Sequence, residues 1–270
     1  MPEPSLQQRA YAMIMQRIVG GQLAPGARIS EPDLAKELGM SRTPVRDAVT
    51  QLQCEGLVER TPRYGTFVRE LTERDMAELY ELREGLESHA ARLAAERIRP
   101  DDLDRLRRLC EEMQAVAEGL CASNAEQLDD AGMRRFMAAE MGFHGLIIHA
   151  AGNSRITKVV AESHVLSGIF SRRRQAHNLL VVSSASEDHR QVLSALETGD
   201  GEAAAKCVAE HIRKSKTRTL NHRRHLREQG VAPASIFTMM PQELVEELNR
   251  IEQDLGEPEP DAQGGKAHAK

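Results

Sequence analysis

This chain of 270 residues has no tryptophan, and aromatic residues make up only 3% of it. It has no apolar run close to the roughly 20 residues that a membrane-spanning helix needs, so no membrane partner is expected. The first residues also lack the apolar stretch of a secretory signal. The four cysteines form no CxxC pair, so the simplest interpretation is reduced thiols in a cytoplasmic protein.

An excess of positive charge is also missing, since the formal net charge is −5. Binding of nucleic acid through overall charge is therefore not expected. What the sequence does have is abundant Ala, Leu, Glu and Arg, with 29% charged residues. That composition favours a mainly helical protein of one large or two modest domains.

The segment over residues 30–67 has the pattern of a helix, a tight turn, a second helix and a two-stranded wing. Ser30 with an acid three positions later is a helix-start signature, and Gly39 ends that helix. Ser41 begins the second helix, which stops at Gly56. A winged helix-turn-helix lays its second helix in the major groove of DNA and its wing along the backbone. The segment therefore predicts DNA binding, with a protein-interaction scaffold as the alternative.

Arginines on the second helix are the candidate DNA contacts. Arg42 and Arg46 are four residues apart and share a helix face with Thr43. An arginine on the first turn of such a helix reaches guanine edges or phosphates, whereas solvated surface charge is the alternative. The wing is predicted as strands over 57–60 and 66–69. It adds further basic residues, at Arg60, Arg63 and Arg69.

The chain from residue 73 to about residue 224 shows only helical periodicity. Thr72 with Asp75 is another helix-start signature and marks the expected domain boundary. We expect a mainly α fold: a winged helix-turn-helix over 1–71, a bundle of six or seven helices over 72–228, and a tail over 229–270. The tail combines a short amphipathic helix with a disordered end. The candidate bundle helices are 73–97, 100–120, 124–151, 153–177, 185–199 and 200–225.

A second constellation lies in the predicted bundle. Glu140 and His144 are four residues apart on one helix, so their side chains point the same way. His189 and His211 lie on two later helices that a short turn makes antiparallel neighbours, so both can face one cavity. Three imidazoles and a carboxylate suit zinc, nickel or manganese. Packed histidines are the alternative, and Cys207, four residues before His211, is a rival ligand.

Arg83 lies among apolar residues on a helix that is expected to face the bundle. An arginine pointed into a cavity clamps a carboxylate through two hydrogen bonds. The alternative is a surface salt bridge to Glu84 or Glu87.

These residues together resemble the GntR family of bacterial transcription regulators, followed by the all-helical FCD effector domain of its FadR subfamily. The resemblance covers roughly residues 8–222. In the head it rests on Leu38-Gly39-Met40-Ser41-Arg42-Thr43-Pro44-Val45-Arg46, Glu55-Gly56-Leu57-Val58 and Gly65-Thr66-Phe67-Val68. In the bundle it rests on Leu82-Arg83, Phe143-His144, Ala151-Gly152-Asn153, Glu187-Asp188-His189-Arg190 and His211-Ile212.

The resemblance implies roles for particular residues. It places the family's metal set on Glu140, His144, His189 and His211, with Glu where the family usually has Asp. It matches Arg83 to an arginine that often binds an effector carboxylate near the metal. It also implies a homodimer on a palindromic operator. The DNA-contacting set that follows is Arg28, Ser41, Arg42, Thr43, Arg46, Arg63, Gly65 and Thr66.

The expected function is a ligand-responsive DNA-binding regulator, a repressor of a catabolic operon. A small organic acid would bind near the metal and change how the protein holds double-stranded operator DNA. A regulator that senses the metal itself is one alternative. A metal-dependent enzyme with a DNA-binding head is the other, although the chain has no HExxH motif and no clear separate general base.

Overall fold

A computed structural model describes residues 4–19, 21–160, 177–229, 247, 249 and 250. The mainly helical class that the sequence predicts is confirmed. Residues 154–160 are helical too, while the remainder of the predicted helix 153–177 and most of the predicted tail helix lie outside the described residues. The elements run α1 (Leu6–Val19), β1 (Arg28–Ile29), α2 (Glu31–Glu37), α3 (Arg42–Cys54), β2 (Val58–Thr61), β3 (Gly65–Val68), α4 (Glu73–Arg97), α5 (Pro100–Ser123), α6 (Asp130–Ala150), α7 (Leu179–Glu197) and α8 (Gly201–Glu228).

The head is built from α1 to α3 and a three-stranded antiparallel sheet in the order β1-β3-β2. Ile29 of β1 pairs with Thr66 of β3, and Val58 of β2 pairs with Val68. The sequence did not predict β1, because two residues are too short to show alternation. The apolar faces of α1 and α3 form the head's core with Ala10, Ile14, Ile18, Val45, Ala48, Val49 and Leu52, all at most 3% exposed.

α4 pairs with α8 in antiparallel fashion. Gly201, at the start of α8, approaches the end of α4 so closely that a Cβ there would lie 3.0 Å from the Arg92 carbonyl oxygen. Farther along, the buried Tyr80 and Thr219 hydroxyls are 2.9 Å apart. The same register continues through the ion pairs Glu84–Arg213, Glu81–Lys216 and Glu73–Arg224.

Two bundle helices begin elsewhere than the sequence predicts. α6 starts at Asp130 rather than residue 124, because the Asp129 side chain accepts the Gly132 amide as an N-cap. α7 starts at Leu179 rather than residue 185, because Asn178 caps it through the Val181 amide. No helix in the described part of the chain is long and apolar enough to cross a membrane.

The start of α4 is held by a reciprocal cap. The Asp75 amide donates to Thr72 Oγ1 at 3.1 Å, and the Thr72 amide donates to Asp75 Oδ2 at 2.8 Å. Replacing Thr72→Ala removes one half of this cap, so we expect a loss of roughly 1 kcal/mol in the free energy of unfolding. Urea denaturation measures the loss.

Ser41→Ala is the matched control for this prediction. Ser41 also stands at a helix N-cap, but its side chain makes no capping hydrogen bond. Its replacement is expected to change stability by only a few tenths of a kcal/mol. Equal losses in the two variants would contradict the assigned role of Thr72.

Candidate metal centre and nucleic-acid interface

Three helices bring the four predicted metal ligands together. α6 supplies Glu140 and His144, α7 supplies His189, and α8 supplies His211. One ligand atom from each of the four lies within 4.8 Å of the others. The imidazole centroids are 4.5 Å apart for His189–His211 and 5.2 Å apart for the other two pairs. Cys207, the rival ligand, lies among the residues that the structure describes, but its thiol is not part of this group of four donors.

Each imidazole has an oxygen atom near its Nδ1. His189 Nδ1 lies 2.7 Å from the Ala185 carbonyl oxygen. His144 Nδ1 lies 2.9 Å from Glu87 Oε2. His211 Nδ1 lies 3.6 Å from Asp188 Oδ2, while its Nε2 lies 3.7 Å from Glu140 Oε1. In a histidine whose proton is on Nδ1, the Nε2 lone pair is the one that can bind a metal.

The electrostatics of the cluster suit a cation. Burial opposes the charged form of Glu140, but the imidazoles of His189, His211 and His144 outweigh it and lower the carboxyl pKa to about 2. Burial lowers the pKa of His189 well below its ordinary value, and the neighbouring imidazoles lower it further. Burial also lowers the pKa of His211. The cluster therefore combines an ionised carboxylate with the neutral imidazoles of His189 and His211, the forms that bind metal.

The residues present fit a divalent ion. His189 Nε2 is buried and has no hydrogen-bond partner among the described residues, which leaves a lone pair that only a ligand or an ion satisfies. Nitrogen and oxygen donors about 2.1 Å from one ion lie roughly 3–4 Å apart, so only a small contraction of the cluster is needed. Glu140 reaches the cluster although it replaces the family's usual aspartate, since its carboxylate lies beside His211.

Arg83 lies beside the cluster and not on the surface. Its side chain is 12% exposed, and its Nε donates to Glu87 Oε1 at 2.7 Å. Of the two salt bridges that the sequence left open, the structure has the one to Glu87, whereas Glu84 pairs with Arg213. Burial disfavours the charged guanidinium, but Glu87 and then Glu140 contribute to a raised pKa for Arg83. Its effector-binding role stays a prediction.

The helix α3 of the head presents the predicted contacts on its exposed face. Arg42, Thr43 and Arg46 are all exposed at the start of α3. Neither arginine forms an ion pair within the described residues, so both are available to phosphates or base edges. Ser41 is also exposed, and its hydroxyl is not used as a helix cap.

The wing brings three predicted residues to one edge. Arg28 on β1 lies against Gly65, whose φ of +123° favours glycine. Arg63, at φ +70°, forms the wing tip. Tyr64 beside it is 71% exposed, and the sequence did not single it out. Thr66 differs from the expectation of an exposed contact, since it is only 9% exposed.

The sequence does not predict three residues around the histidine cluster as parts of the site. Glu87 and Asp188 contact histidine ligands from neighbouring helices. His177 stands against Phe136, with ring centroids 6.0 Å apart, and helps to lower the pKa of Glu140. None has a local sequence signal, because these contacts join residues far apart in the chain.

Comparison with known families gives matches over both parts of the chain. Residues 6–68 match the sequence model described as "Bacterial regulatory proteins, gntR family". Residues 78–214 match that of the FCD domain, which is half of the chain. These families and the similar proteins are transcriptional regulators and not enzymes, so the metal-dependent enzyme alternative is set aside.

Individual relatives are similar over most of the chain. The probable D-xylose utilization operon transcriptional repressor of Paenarthrobacter nicotinovorans is 34% identical over 74% of this chain and 82% of its own length. The Nta operon transcriptional regulator of Aminobacter aminovorans is 31% identical over 70% of this chain and 83% of its own. The solved structure of McbR/YncC from E. coli superposes with a TM-score of 0.63 at 26% identity, covering 82% of this chain and all of that one.

Replacing Gly65→Ala tests the wing arrangement. The new Cβ would lie 3.1 Å from Arg28 Nε, in a backbone conformation that favours glycine. We expect Arg28 to shift and the affinity for operator DNA to fall by roughly tenfold, since losing an arginine contact to DNA costs about 1–3 kcal/mol. The backbone strain itself lowers the free energy of unfolding. Fluorescence anisotropy with labelled DNA measures it.

Gly119→Ala on α5 is the matched control, because no atom lies within 4 Å of the added Cβ. Its DNA affinity should equal that of the wild type. Unchanged affinity in Gly65→Ala would remove the wing edge from the DNA interface.

Proposed function

Because this chain belongs to the gntR family of bacterial regulatory proteins and carries an FCD domain, we propose that it represses a catabolic operon and responds to a small organic acid. The observation that carries this proposal is the buried cluster of three imidazoles and one carboxylate in the helical domain. Two relatives whose names describe operon regulators support the role. The protein acts in the cytoplasm, where its operator DNA is.

The charges around the cluster favour an anionic effector once a divalent ion is bound. Three carboxylates, Glu140, Glu87 and Asp188, are accompanied by two cations, Arg83 and Lys214. With neutral imidazoles the site carries one net negative charge, and a divalent ion changes it to one net positive charge. A carboxylate then gains from both the metal and Arg83, whose Nη groups have no hydrogen bond within the described residues.

The proposed route from this site to the DNA-binding head runs along α8. His211 lies in the middle of this helix, and Arg223 near its end donates to the Leu71 carbonyl oxygen at 2.6 Å. Leu71 lies just after the wing. A small displacement of α8 would therefore reach the connection to the head, and an effector acts by binding two such positions with different affinity.

A homodimer is part of the proposal. Two heads related by two-fold symmetry would contact a palindromic operator, with half-sites about one helical turn apart. A change in the position of each head relative to its bundle alters the spacing of the two recognition helices. Such a change is sufficient to separate a DNA-binding form from a released form.

A metal-sensing regulator is the second candidate. Four protein donors are enough to complete a tetrahedral shell, which leaves no position for an organic ligand. In that case the ion itself would be the signal. A weak, exchangeable site would favour this candidate, whereas a site that stays filled favours the ion as an anchor for the organic acid.

Direct DNA binding tests the regulatory role. The purified chain should bind DNA from upstream of its own gene at least tenfold more tightly than coding DNA of equal length. Arg42→Ala and Arg46→Ala should each lower that affinity by roughly 1–3 kcal/mol if they read bases. Arg74→Ala is the control, because Arg74 is an exposed arginine on α4. Equal binding to both DNA fragments would contradict the proposal.

Metal and effector binding are tested together. Elemental analysis should give about one zinc, nickel or manganese ion per chain, and the Glu140→Ala/His144→Ala double variant should lose it while remaining folded. In a thermal-shift screen, small carboxylates should raise the melting temperature of metal-loaded protein and not of EDTA-treated protein. If a carboxylate also raises the melting temperature of EDTA-treated protein, Arg83 alone would have to bind the effector. That result would contradict an effector site that includes the metal.

A further inference from the structure

We infer that Glu87 and Asp188 are positioning residues of the metal centre, each aiming one histidine so that its Nε2 faces the ion. This inference rests on the proposed metal site and assigns roles to residues that lie outside the ligand set. A metal-ligating histidine that donates its other N–H to a carboxylate is fixed in orientation and becomes a more basic ligand.

Asp188 lies between His211 and a cation. It is 5% exposed, and its Oδ1 accepts from Lys214 Nζ at 2.5 Å. Its Oδ2 lies 3.6 Å from His211 Nδ1, a charge contact slightly longer than a hydrogen bond. Asp188 is on α7, whereas His211 and Lys214 are on α8, so the carboxylate ties the two ligand helices together.

Glu87 repeats this arrangement on the other side of the cluster. It is 1% exposed, with Oε2 2.9 Å from His144 Nδ1 and Oε1 accepting from Arg83 Nε at 2.7 Å. α4 supplies no ligand, so Glu87 is the means by which this helix reaches the centre. His189 is oriented by the backbone instead, through the Ala185 carbonyl.

The oxygen atoms near the three Nδ1 atoms indicate that all three histidines would bind the ion through the same atom, Nε2. A carboxylate, a second carboxylate and a carbonyl oxygen each face an Nδ1 atom. All three histidines are thereby left to present Nε2, beside the Glu140 carboxylate. Loss of either outer carboxylate frees an imidazole to rotate or to change tautomer, which weakens the centre without removing a ligand.

The test measures Zn²⁺ affinity of the full chain by competition with a chromophoric chelator, beside the visible absorption of the Co²⁺ form. Asp188→Ala and Glu87→Ala should each weaken Zn²⁺ binding by 10- to 100-fold, the usual effect of losing such a partner. The Co²⁺ spectrum should change as well, since it reports ligand geometry. Asp188→Asn and Glu87→Gln keep an acceptor oxygen and should recover part of the affinity.

Asp102→Ala is the matched control, because Asp102 is 4% exposed, pairs with Arg99 and Arg105, and lies on α5, which supplies no ligand. It should leave Zn²⁺ affinity and the Co²⁺ spectrum unchanged. If the wild type binds Zn²⁺ and the affinities of Asp188→Ala and Glu87→Ala are within twofold of the wild-type affinity, this inference alone is overturned. It is also overturned if Asp102→Ala loses as much Zn²⁺ affinity as those two variants. No Zn²⁺ bound by the wild type would overturn the proposed metal site and this inference with it.

Discussion

The antiparallel pairing of α4 with α8 is the constraint on which the other features depend. At one end, Gly201 allows the two backbones to approach, where a Cβ would lie only 3.0 Å from the Arg92 carbonyl oxygen. At the other end, Arg224 pairs with Glu73, next to the connection with the head. Between these ends the register places Arg83 and Glu87 of α4 against the histidine cluster. The same pair of helices therefore positions the site and reaches toward the DNA-binding unit.

The buried polar cluster opposes the stability of the bundle. Removing a carboxylate and imidazoles from water costs free energy that hydrogen bonds only partly offset, and apolar residues of similar volume often stabilise such a position more. Within the described residues the Ala185 carbonyl lies within hydrogen-bond distance of His189 Nδ1, whereas His211 Nδ1 has no hydrogen-bond partner, nor has the buried Nε2 of His189. A bound cation satisfies that lone pair and the ionised Glu140 together. The arrangement is thus better explained by ligand binding than by packing.

Much of this architecture can be predicted from the sequence because its signals are local. Helix caps, the glycine after α2 and the spacing of Arg42 and Arg46 lie within a few residues of each other. The convergence of His189 and His211 was also predictable, because a short turn between two helices makes them neighbours. β1 was missed because two residues show no period, and the start of α6 was misplaced because the cap at Asp129 was not recognised.

The outer carboxylates were not predictable for a different physical reason. Glu87 and Asp188 each act across a helix interface, and a single sequence does not state which faces meet. Because Glu87 acts across a helix interface, it connects α4 to the histidine cluster. An ion at the cluster would fix α6, α7 and α8 directly, whereas within the described residues α4 reaches it through the Arg83–Glu87–His144 chain. In the proposed function an effector carboxylate binds the Nη groups of Arg83, while Arg83 Nε stays with Glu87. The effector would therefore also contact α4, the helix that pairs with α8 and whose first turn follows the wing.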